Sequence, residues 1–163
     1  MRTQLRQISE IELATILVAG ERMLEFDWGW ETAELSRADL RGRDLSDAVL
    51  FEAALHQADL GEADLRRCEL GWAEMNDANL VGANIAGANM YCVDLRGANL
   101  DGLLGWRSVE VWRVANLHGV KNAPHGFVEW ALAEAGAVSL EDGERWRESI
   151  VDEWMGRPYR HVT

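Results

Sequence analysis

Cysteine is nearly absent, with two in 163 residues, so a disulfide-stapled secreted scaffold is excluded. Histidine is as sparse. His56, His118, His125 and His161 stand far from one another and from either cysteine, which leaves no pair at metal-ligand spacing. There is no Cys-X-X-Cys, no His-Glu-X-X-His, no Gly-X-Ser-X-Gly and no Walker phosphate loop. The sustained apolar run from Leu13 to Gly20 is far short of the roughly 20 residues that span a bilayer. No basic segment with a cleavage site follows Met1, so a cytoplasmic protein is expected. A catalyst, a cofactor and a metal are not expected. With 48% hydrophobic residues, wholesale disorder is excluded as well.

What is present is a repeat. Residues 33 to 102 hold fourteen five-residue units without a gap, clearest as Ala38-Asp39-Leu40-Arg41-Gly42, Ala58-Asp59-Leu60-Gly61-Glu62 and Ala98-Asn99-Leu100-Asp101-Gly102. The central position is large and aliphatic each time, from Leu35 through Met75, Ile85 and Met90 to Leu100. Two residues before it stands Ala at eleven places, then Cys68, Val93 and the one exception, Arg43. On a helix at about 100° per residue, positions five apart would scatter round the axis. On a straight strand of period two they would alternate between faces. A chain that bends once per unit keeps both positions inward, and a chain bending at every unit closes into a coil.

The Ala-(Asp/Asn)-Leu-X-X unit resembles the pentapeptide-repeat family. The resemblance implies an all-β solenoid core, a right-handed quadrilateral β-helix with four units per coil and about 3.5 to 4 coils in this chain. At the strand spacing such a column stands roughly 17 Å tall. Cys68 then takes an inward slot, while Cys92 and His56 face outward, His56 in water. Arg43 is expected to leave the interior and pair with acids or carbonyls of the N-terminal segment, because an unpaired buried charge is costly.

A stack of repeats needs covered ends. Residues 1–32 are expected as an N-terminal helical cap, with a helix over about 9–25 opened by Ser9 and Glu12, and with Trp28-Gly29-Trp30 alongside. After Gly102 the phase breaks, and Ala115-Asn116-Leu117-His118-Gly119 resumes it two residues out of register. Residues 103–122 read as an excursion, helical around Val109 to Trp112, then a last partial coil. Residues 123–163 read as two helices covering the other end, all within a single domain. The first starts near Pro124 and stops at Gly136; the second opens at Ser139 with Asp142, ends at Gly156 and bears Trp146, Ile150 and Trp154 on one stripe. The tail from Arg157 is expected to be loose.

Net charge is -12, with -7 in residues 33–102. Asp39 would stack on Asp59, and Asp44 on Asp64, like a phosphate track. Some members of the resembled family protect DNA gyrase or topoisomerase from quinolones by imitating B-DNA. Those members are longer and often carry Phe at the central position, which is lacking here. Asp or Asn before the central residue also suits turn chemistry at nine of the fourteen units. The favoured expectation is a protein-binding module, such as an immunity or inhibitor protein for a toxin. A topoisomerase-protecting mimic is the alternative, and the acidity speaks against direct nucleic-acid binding. Twenty-residue stacking brings Phe51, Trp72 and Tyr91 onto one outward face with Glu52 and Glu69 as a charged rim. That face is the expected partner site, unless the C-terminal helix covers it or it pairs in a homodimer; Asp39, Asp44, Asp59 and Asp64 form the alternative.

Overall fold

The computed structural model describes residues 4–22 and 32–154. Through 33–102 the small residue and the large aliphatic of each unit point inward, Leu35, Ala38, Leu60 and Leu100 being fully buried. The residue between them forms a parallel bridge with its equivalent twenty positions on: Glu34 with Ala54, Asp39 with Asp59, Asp44 with Asp64, Val49 with Glu69. Four ladders of such bridges hold successive coils together. Each bridge has two backbone hydrogen bonds; Leu40 N–H donates to Asp59 O at 2.8 Å and Asp59 N–H to Ala38 O at 2.9 Å. Among the described residues, strand longer than a single bridge is confined to β1 (Arg6–Gln7) and β2 (Ala38–Asp39), because the chain turns after every bridge.

The turn explains the rest of the unit. The N–H of each small residue donates to the carbonyl of the aliphatic three positions earlier, as Ala38 to Leu35 at 3.0 Å, and the residue just before it has positive φ. This is a type II turn, which favours glycine at that place. Gly42, Gly82, Gly87, Gly97 and Gly102 fill it, while the other nine units force a side chain into it at φ between 55° and 64°. The bridge residue then locks the turn. Asp39, Asp44, Asp59, Asp64, Asn79, Asn84, Asn89, Asp94 and Asn99 each accept the backbone N–H two residues on, at 3.0 to 3.4 Å. Asp and Asn recur there because both place an oxygen where that donor needs one.

The column continues for one coil beyond the uninterrupted repeat. Leu104, Val111, Asn116 and Lys121 bridge to Asn84, Asn89, Asp94 and Asn99. Two extra residues are absorbed at Gly105, which is left-handed at φ 73°, and in the 3-10 turn Trp106–Ser108. The helical turn expected at Val109 to Trp112 therefore lies earlier; Val111 is a bridge residue and Trp112 takes the inward slot, 3% exposed. Ala115 and Leu117 are buried as the resumed pattern requires.

At the N-terminal end β1 lies parallel to β2, Gln7 beside Asp39. Ser9 Oγ accepts the Glu12 N–H at 3.1 Å and opens α1 (Glu10–Arg22), whose Leu13 is buried with Ile8 against the first coil. Arg43 donates to the Ile8 carbonyl at 3.2 Å and pairs with Glu10, so its charge leaves the column as expected. Trp28-Gly29-Trp30, Gly156 and the tail from Arg157 lie outside the described residues.

At the other end α2 (Phe127–Ala133) buries Phe127 completely, with ring centroids 5.4 Å from Trp106 and 5.2 Å from Trp112. α3 (Gly143–Trp154) starts later than expected. Its N-cap is Asp142, which accepts the Glu144 N–H at 2.8 Å. Ser139 cannot open a helix because Val138 bridges to Asn116, and the Asn116 amide fixes Leu140 through both its backbone groups at 2.8 and 3.0 Å.

Candidate functional site

The three outward aromatics do lie on one corner of the column, after the ladder Val49–Glu69–Asn89–Val111. Trp72 N–H donates to Tyr91 O and Glu52 N–H to Gly71 O, both at 2.9 Å, so Phe51, Gly71 and Tyr91 are stacked beside Glu52, Trp72 and Cys92. The Trp72 and Tyr91 rings meet edge to face at 6.1 Å. The Phe51 ring lies one coil below, over Gly71, where an added Cβ would stand 3.1 Å from its Cδ2. Glu69 is exposed and accepts from the Asn89 amide at 3.0 Å; Glu52 is half-buried.

Most of this corner is covered by the chain itself. Trp146 and Ile150, four apart on α3, are 5% and 2% exposed and pack with Cys92, Val114 and Val138 against Trp72 and Tyr91. Trp146 Nε1 donates to the Val114 carbonyl at 2.9 Å. Arg147 reaches Glu74 at 3.5 Å, and Arg96, doubly bonded to Asp94, donates to the Glu141 carbonyl at 3.1 Å. Cys92 thus faces outward from its coil and is still fully buried, under α3. The Trp146–Ile150 stripe announced a packed helix in the sequence; which corner it covers could not be read there. The Trp154 side chain lies outside the described residues.

The alternative acidic face is quieter than a phosphate track. Asp39 and Asp59 are bridge partners, as are Asp44 and Asp64, yet all four carboxylates serve the turns. Arg41 clamps Asp39 at 2.7 and 2.8 Å, and with Gln7 it holds that carboxyl far below the usual range. Arg66 does the same to Asp64, and the Ser46 hydroxyl lowers Asp44. His56, expected in water, is half-buried between Asn76 and Glu74, with Nε2 2.7 Å from the Glu74 carboxylate. Among the described residues, no group of three His, Cys, Asp or Glu is placed to hold a metal, and no helix is long and apolar enough to cross a membrane. Cys68 is sealed inside, its thiol donating to Ala48 O at 3.2 Å and pushed up to about 12 by burial.

Five-residue bends stacked at twenty-residue intervals define a β-helix repeat protein. The family model for pentapeptide repeats matches eight copies over residues 33–70 and 63–102, and this repeat region belongs to the pentapeptide-repeat family. Among solved structures, the chain is similar to the pentapeptide-repeat protein Rfr23 of the cyanobacterium Cyanothece 51142, 30% identical over 68% of this chain and 58% of that one, TM-score 0.46. The chain therefore spans less than two thirds of that protein's length. It is also similar to alr5209, a pentapeptide-repeat protein of Nostoc Pcc 7120 (24% identical over 85% of this chain and 100% of that one, TM-score 0.43). A third is QnrB1, a plasmid-mediated fluoroquinolone resistance protein, 16% identical over 77% of this chain and 70% of that one, with a TM-score of 0.40. No curated protein matches.

Proposed function

We propose that the chain is a non-catalytic protein-binding module: a right-handed quadrilateral β-helix, closed by helical caps, that presents its aromatic corner to a protein partner. The observation supporting this is the convergence of Phe51, Trp72 and Tyr91 on one edge of a rigid column whose other corners carry mainly Arg, Asp, Asn, Gly and Ser. Aromatics grouped on a rigid element are the usual anchors of an interface. Glu52 and Glu69 supply the rim, and the acidity fits a basic partner surface, as in an immunity or inhibitor protein. Co-purification from the native host with mass spectrometry tests it: a partner retained by the parent and lost from Phe51→Ala and Tyr91→Ala supports the assignment, and full retention by both refutes it.

The stacked pairs Asp39–Asp59 and Asp44–Asp64 favour a second reading, a B-DNA mimic protecting a topoisomerase. Arg41 and Arg66 neutralise part of that track, which places this reading second. Absence of any effect on gyrase supercoiling at micromolar protein removes it.

A further inference from the structure

We propose that the aromatic corner is a helix-docking surface which α3 occupies in cis, and that the partner enters as an amphipathic helix in its place. The inference rests on the protein-binding reading above and specifies the partner's chemistry. The column is complete without α3: the interior cluster runs from Ile8 to Phe127 and Ala137 and contains neither Trp146 nor Ile150. Those two side chains belong to a separate, outer cluster on the corner.

α3 is also lightly held along its length. The ties at Leu140 and Glu141 fix the segment before the helix. From the helix proper come the Trp146 indole bond to Val114 O and the exposed Arg147–Glu74 pair at 3.5 Å, and exposed pairs of that kind contribute little. The surface beneath is shaped without help from α3, since Trp72 and Tyr91 brace each other edge to face and Val114 continues the corner upward. Phe51 extends the same corner one coil further down, outside the α3 cluster, so the apolar edge is longer than its cover.

α3 itself shows what fits. The occupant presents an aromatic and a β-branched residue at i and i+4, as Trp146 and Ile150 do, and carries basic residues toward Glu74 and Glu69, as Arg147 does. A longer helix would reach Phe51 as well, and that contact gives an incoming partner an advantage over α3.

Cys92 and Cys68 report on the opening. In a Cys68→Ala background, Cys92 is expected to react with a disulfide reagent at least tenfold faster once Trp146→Ala is added, while Cys68, in a Cys92→Ala background, stays protected with or without Trp146→Ala. Equal rates for the two thiols, or no acceleration at Cys92, would overturn the opening. In the second arm, a labelled peptide of residues 143–154 is titrated into the full chain carrying Trp146→Ala and Ile150→Ala, followed by anisotropy. Saturable binding weakened at least tenfold by Trp72→Ala is expected; no saturable binding refutes helix docking. A native partner that still co-purifies through Phe51 and Tyr91 in that case would leave the protein-binding reading standing and sink this inference alone.

Discussion

Cys68 and Cys92 are both fully buried, and they are buried by different things. Cys68 sits in a slot that the repeat creates at every unit, closed by the coils above and below. Cys92 occupies a turn position that faces outward in every unit, and it is covered because α3 lies across it. The first kind of burial is periodic and cooperative. The second is local, depends on a handful of side chains, and can be undone without opening the column.

Substitutions should separate the two regions. Leu60→Asp or Leu65→Asp places a charge in a dry interior where every neighbour is apolar, and loss of folding is expected, read as loss of the cooperative melt in circular dichroism. Phe127→Ala, at the closed end of the same interior between two tryptophans, should cost about 3 to 5 kcal/mol in denaturant unfolding while the fold persists. Cys68→Ala should cost less than about 1.5 kcal/mol, since alanine already fills most equivalent slots. A cost for Cys68→Ala equal to that of Phe127→Ala would mean that the slots are not interchangeable.

Acid sharpens the contrast from the outside of the column. Asp39, Asp44, Asp47 and Asp64 are all held below their ordinary range, through bonds to Arg41, Ser46, Arg67 and Arg66 respectively. With a lowered folded value the folded state binds fewer protons than the unfolded chain, whose aspartates titrate near about 3.9. Their contribution is therefore complete above about pH 5 and is lost as pH falls below about 4. Denaturant midpoints should show that fall, and Asp39→Asn should make it shallower while changing little at pH 7, because Asn79 and Asn99 fill the same ladder position. The smallest effect expected is a gain: Glu62→Gly relieves a left-handed φ of 58° at an exposed turn and should stabilise by a few tenths to about 1 kcal/mol.

The sequence is a good guide wherever the five-residue pattern runs. It shows the inward slots, the outward aromatic ladder and the exit of Arg43, because each follows from position within a unit. It loses the upper coil at Leu104, where an insertion of two residues shifts the register and Trp112 replaces the aliphatic. It also mistakes the start of α3: Ser139 is a good capping residue, but Val138 is already committed to a bridge, and Asp142 does the capping. As for the aromatic corner, the stripe of Trp146 and Ile150 shows that something is covered, and only three-dimensional packing decides what.

The central claim is that an autonomous column bears a separable helix on its aromatic corner. Native-state hydrogen exchange on the full chain tests it most directly. The amides of Leu40, Leu60 and Leu80, whose donors lie in the ladders, should share one slow rate set by global unfolding. Amides of 143–154 should exchange at least tenfold faster, through local opening. A single slow class that includes the helix would contradict the account.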